Sequence, residues 1–76
     1  MQNTEAAATM QGDELKTLRR RAKMTQAEFA GAMGLTGTFM GLMERGEKPI
    51  EKRTELAARW IVSQIEQSEQ VPERST

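Results

Sequence analysis

The run TQAEFAGAMGLTGTFMGLMERG, residues 25–46, specifies two short helices and the tight turn between them. It opens on a capping box: the Thr25 hydroxyl accepts an early amide and Glu28 reaches back to the Thr25 N–H, so a helix begins at residue 25 or 26. Phe29, Ala30 and Met33 form its inward face, and Gly34 supplies the left-handed residue that ends it. Only Leu35 intervenes before Thr36, a good N-cap for a second helix. There Met40 and Met43 stand three apart, with Phe39 one turn before Met43, and Gly46 closes the helix. A connection as tight as Gly34-Leu35-Thr36 forces two short helices to cross steeply, which is the helix-turn-helix arrangement.

Upstream, Asp13 can cap a helix in which Leu15, Leu18 and Ala22 recur at i, i+3 and i+7, with bases on the other faces. The opening run MQNTEAAATMQG has no helical stripe and too few large apolar groups to offset its ordering entropy, so residues 1–12 read as a flexible tail. Downstream, Pro49 fixes a helix start, and from Ile50 to about Ser68 nothing breaks the pattern. Two adjacent rows of this fourth helix are apolar: Leu56 with Trp60, and Ala57, Ile61 and Ile65 with Val62 beside them. That face is wider than three short helices need to cover. Residues 69–76, with Pro72, return to polar composition and read as a disordered tail.

The 76 residues suffice for one small domain, and a chain this short buries only about 60% of the surface its unfolded form exposes. A deep catalytic pocket would compete with the core for the same apolar side chains. The chain contains no His, Cys or Tyr. That composition excludes His-based acid/base pairs, thiolate nucleophiles, Cys/His zinc sites, disulfides and redox motifs. The expectation is therefore a non-enzyme with no catalytic residues, metal or cofactor, and with no evident small-molecule ligand. No apolar run exceeds three residues, as in Trp60-Ile61-Val62, and no Lys or Arg precedes a hydrophobic stretch in residues 1–10. Neither a membrane span nor a secretory signal is expected, and the cytoplasm is the expected location. The formal net charge is zero, but residues 14–53 carry nine bases and five acids, while residues 1–13 and 54–76 are each net −2. A basic centre lies between acidic ends.

The run 25–46, preceded by LKTLRRRAKM, resembles the Cro/cI repressor-like (XRE-type) helix-turn-helix family of phage and bacterial transcription regulators. The match covers roughly residues 13–60 and rests on the Thr-Gln-Ala-Glu opening, the small Ala30 where the helices touch, and the turn Gly34. Leu35, Met40 and Met43 at buried positions and the closing Glu44-Arg45-Gly46 complete it. The resemblance implies a lambda-repressor-like, all-α bundle of four helices, or five if the last is divided, over residues 13–68. It places helix 3 in the major groove of double-stranded DNA. Thr25 and Gln26 would meet a phosphate at the start of helix 2. It also implies a largely buried Arg19–Glu44 ion pair joining helix 1 to the end of helix 3.

In this family the base-reading side chains project from the first two turns of helix 3. Here those positions hold Gly37, Thr38, Gly41 and Leu42, so the usual bidentate Gln, Asn or Arg contacts are absent. Three explanations remain open. The glycines let the backbone sink into the groove, with Thr36, Thr38 and Leu42 meeting base edges and thymine methyls. Alternatively, Arg45, Lys48 and Lys52 grip phosphates while sequence is sensed through DNA shape. In the third, helix 3 is an apolar protein-binding face.

A monomer reading a few base pairs binds weakly. Spare apolar surface on helix 4, at Trp60, Ile61, Val62 and Ile65, offers a two-fold interface that sets two copies of helix 3 about 34 Å apart, one turn of DNA. The simpler reading is that this stripe finishes the monomer core. Together these features favour a homodimeric repressor on a palindromic operator. The alternative is an antitoxin-like or adaptor module that binds protein through Phe39 and Leu42.

Overall fold

The computed structural model describes residues 10–70. Among them four helices and no strand follow in order: α1 (Gly12–Arg21), α2 (Gln26–Ala32), α3 (Gly37–Glu44) and α4 (Lys52–Gln70). The all-α class and the helix-turn-helix are as expected, and α4 is continuous rather than divided. The expected tails fall largely outside the described residues, at residues 1–9 and 71–76.

Local chemistry accounts for the boundaries of α2 and α3. The Thr25 hydroxyl accepts the Glu28 amide at 3.1 Å and the Glu28 carboxylate accepts the Thr25 amide at 2.9 Å, completing the capping box. Gly34, at φ 76°, reverses the chain. The Gly34 and Leu35 amides then reach back to the carbonyls of Gly31 and Ala30 at 3.1 and 2.8 Å, the paired bonds of a Schellman motif. The same device recurs after α3, where Gly46 has φ 82° and the Gly46 and Glu47 amides donate to Met43 and Leu42 at 3.1 and 2.8 Å. Thr36 caps α3 by accepting the Phe39 amide at 3.1 Å.

Two boundaries differ from the expectation. Met10–Gly12 are not tail: Met10 is buried and forms an isolated antiparallel bridge with Ile50. Gln11, not Asp13, caps α1, its amide donating to the Glu14 carboxylate at 2.9 Å. Correspondingly, Pro49 does not start α4. A proline's fixed φ suits an extended segment as well as a first helical turn, and Ile50, being β-branched and apolar, is buried in the bridge instead. The helix begins after Glu51, whose carbonyl accepts the Glu55 amide at 3.0 Å, and runs two residues past the expected end at 68.

The core gathers Leu15, Leu18 and Ala22, Phe29 and Ala30, Met40 and Met43, Ala58, Ile61 and Val62, closed at one end by Met10 and Ile50. Helix α2 packs on α3, and α1 lies against both α3 and α4. A bidentate pair between Arg21 and Glu66, at 2.7 and 2.9 Å, pins α1 to the distal half of α4. No helix of the described residues is long and apolar enough to cross a membrane.

Candidate nucleic-acid interface

One charged junction fixes α2 and α3 relative to α1. The Arg19 guanidinium donates to both Glu44 oxygens, at 2.6 and 3.1 Å, and through Nη1 to the Met24 carbonyl at 3.0 Å. Only 13% of the Arg19 side chain and 4% of the Glu44 side chain remain exposed. Gln26, at the start of α2, adds a third donor through Nε2 at 3.1 Å. Burial by itself would raise the Glu44 carboxyl, but the bonds from Arg19 and Gln26 and the charges of Arg19 and Lys16 outweigh it. The group titrates below the usual carboxylate range. The last turn of α3 and the first of α2 are thereby tied to one point on α1.

The outer side of α3 carries few side chains. Thr36 and Thr38 are exposed, Leu42 is half-buried, and Gly37 and Gly41 contribute bare backbone. Each glycine has a packing neighbour in the direction a side chain would take. A Cβ at Gly37 would stand 3.2 Å from the Ala27 Cα, so this residue permits the close approach of α2. Gly41 is buried beneath two side chains: a Cβ there would meet Arg45 Nη1 at 3.2 Å and the Gln26 amide at 3.6 and 3.7 Å. Gly37, half-buried, serves helix packing, and Gly41, expected to face bases, is buried under Gln26 and Arg45 instead.

The family model described as a helix-turn-helix domain matches residues 12–61 of the 76. The chain belongs to this helix-turn-helix family, an XRE-like one. No curated protein and no solved structure matches it significantly. The helix-turn-helix match ends within α4, and every boundary of the motif itself, from Thr25 to Gly46, lies inside the matched span.

The expected phosphate contacts separate into two kinds. Lys48 and Lys52 are exposed and have no ion-pair partner among the described residues, so their charge is available to an anion. Arg45 is exposed but engaged, its Nε donating to Glu47 at 2.8 Å. Thr25 and Gln26 are exposed at the N-terminus of α2, yet the Thr25 hydroxyl and amide are both used within the capping box, and the Gln26 amide is turned onto Glu44.

The expected dimer residues also divide. Ile61 and Val62 are 8% and 2% exposed and belong to the monomer core, with Ile65 packed half-buried against it. Buried side chains cannot also form an open interface, so Ile61 and Val62 are removed from that role. Positions 58, 61, 62 and 65 share the inward face at helical spacing, which turns Leu56 and Trp60 outward at 55% and 64% exposure. Beside them a groove of about 580 Å³ opens between the helix-turn-helix and α4, lined by Met33, Leu35, Phe39, Pro49 and Ala57 and rimmed by Lys48 and Arg53.

Two contributors escaped the sequence reading. A Cβ at Gly12 would stand 2.6 Å from the Met43 carbonyl oxygen, so the first turn of α1 abuts the last turn of α3 with no room for a side chain. Glu47 holds Arg45 in place. A glycine ahead of a helical stripe is a weak signal for the first, and nothing local points to the second.

Proposed function

We propose that this protein is a sequence-specific DNA-binding transcriptional regulator that works as a homodimeric repressor on a palindromic operator. The observation that carries this reading is the outer side of α3. It is small-featured, capped at both ends, and anchored through Glu44 to α1, and it is followed by the cations Lys48 and Lys52, unpaired among the described residues. A major groove admits one helix of this kind. Thr36 and Thr38 offer hydroxyls to base edges, and Leu42 offers methyl groups to thymine. Lys48 and Lys52 grip the backbone and set register. Occupancy of a promoter suffices for repression, so no catalytic group is required, and the working compartment is the one that holds the DNA, the cytoplasm.

The dimer in this reading uses the outward face of α4. Trp60 stands one turn beyond Ala57, which lines the groove. An exposed aromatic next to an apolar groove on the same chain is self-complementary, as an isologous two-fold contact requires. The acidic residue Glu51 and the basic residues Lys48 and Arg53 at the groove rim likewise complement their own copies across such an axis.

Selection of bound sequences from random duplexes tests the function. A palindrome with half-sites about one helical turn apart is expected. Failure to enrich any sequence, with binding to a protein partner that barely responds to salt, would favour the interaction-module alternative through Phe39 and Leu42.

A further inference from the structure

The outer side of α3 lacks, on its own first two turns, any side chain with a fork of donors, and a neighbouring residue occupies the space this leaves. We propose that Arg45 is a further base-reading residue of this domain, directed by Glu47 across Gly41 onto the edge of a guanine. The proposal rests on the DNA-binding reading above and assigns Arg45 a role other than gripping the backbone.

Three observations support it. Arg45 stands at the C-cap of α3, yet its Nη1 lies 3.2 Å from the point where a Gly41 Cβ would be. The side chain therefore runs back along the helix over the bare backbone one turn earlier. The place a side chain at residue 41 would take is filled by the Arg45 terminus. Gln26 closes the other side of that place, its Nε2 fixed by Glu44 at 3.1 Å.

The second observation is the choice of atom that Glu47 holds. Glu47 accepts from Nε at 2.8 Å, and no other Arg45 side-chain hydrogen bond is formed among the described residues. A guanidinium carries five N–H donors, so the two terminal amino groups stay free as a pair. That end-on pair is the geometry that meets guanine O6 and N7. Glu47 is itself held by the turn after α3, where its amide donates to the Leu42 carbonyl at 2.8 Å.

The third is charge. A carboxylate beside the guanidinium repels a phosphate and offsets the attraction that a backbone grip relies on. It imposes a much smaller penalty on an approach to guanine, whose O6 and N7 belong to an uncharged base. Lys48 and Lys52, which have no such carboxylate partner among the described residues, suit the backbone instead.

The test is the selected duplex and a panel in which each base pair is replaced in turn, measured by fluorescence anisotropy for the full chain and for Arg45→Lys, Arg45→Ala and Glu47→Gln. Wild type should discriminate against loss of one G·C pair by roughly 5- to 150-fold, the range of a bidentate contact. Arg45→Lys keeps the charge but not the fork and should lose that discrimination alone, with the salt slope unchanged. Glu47→Gln should weaken discrimination at the same pair. All three variants should unfold at the wild-type temperature, as their side chains are exposed. The assignment is overturned if Arg45→Lys preserves the preference, or if Arg45→Ala weakens all duplexes equally and lowers the salt slope by about 0.9. If the wild-type chain enriches no duplex at all, the underlying DNA-binding reading fails together with it, a result distinct from the other two.

Discussion

Arg19 and Glu44, 25 residues apart, form a two-bond ion pair in which 4% of the carboxylate side chain is exposed. Replacing Arg19 by Ala leaves that carboxylate buried with the Gln26 amide as its one side-chain hydrogen-bond donor among the described residues. The expected cost is about 3 to 5 kcal/mol in urea unfolding. Because Glu44 titrates below its unfolded value, its contribution is complete above the unfolded pKa, near 4.3, and is lost as pH falls through the lower folded value. Glu44→Gln should remove this acid-dependent fraction, so its stability should fall less steeply below about pH 4.3 than that of wild type.

Gly12→Ala places a methyl group against the carbonyls of Met43 and Glu44. Neither carbonyl belongs to a mobile side chain, so α1 must shift. The expected loss is about 1 to 3 kcal/mol, in spite of the ordinary preference of helices for Ala over Gly. An unchanged unfolding midpoint would mean that the junction of α1 and α3 is looser than described.

The two glycines of α3 should respond in opposite directions. Gly41→Ala meets only the flexible ends of Arg45 and Gln26 and should stabilise by up to about 1 kcal/mol through helix propensity. Gly37→Ala meets the Ala27 backbone and should not stabilise. Thermal unfolding of the two single variants checks the contrast.

Trp60→Glu and Leu56→Glu alter exposed side chains and should yield folded monomers in sedimentation, while Ile61→Glu buries a charge in the core and should unfold the chain. A Trp60→Glu variant that sediments like wild type would move the dimer contact off this face.

Lys48→Ala and Lys52→Ala should each weaken binding to all duplexes by a similar factor and reduce the slope of log affinity against log salt by about 0.9. Thr38→Ala should instead change the ranking of duplexes.

Much of the fold was legible because its boundaries are written in local chemistry. Thr25 with Glu28, Gly34, Thr36 and Gly46 act within a few residues of themselves, and each stands in the structure where its side chain or backbone freedom requires. The Met10–Ile50 bridge was not legible, since it joins segments 40 residues apart with no periodic signal in either. On α4 two adjacent apolar rows were visible, but which one α1 covers depends on packing, so the outward turn of Trp60 emerged only in three dimensions. The Arg19–Glu44 pair followed from the family resemblance rather than from spacing. The roof of Gln26 and Arg45 over Gly41 required the tertiary arrangement of α2 and α3.

In the proposed complex the outer side of α3 meets duplex DNA, and amide chemical-shift mapping during titration with the selected duplex locates that contact residue by residue. The largest shifts are expected at Gln26, Thr36, Thr38, Leu42 and Arg45, with smaller ones at Lys48 and Lys52. Shifts confined to Leu56, Trp60 and the groove beside Phe39, with α3 unmoved, would place the contact elsewhere and overturn the proposed complex.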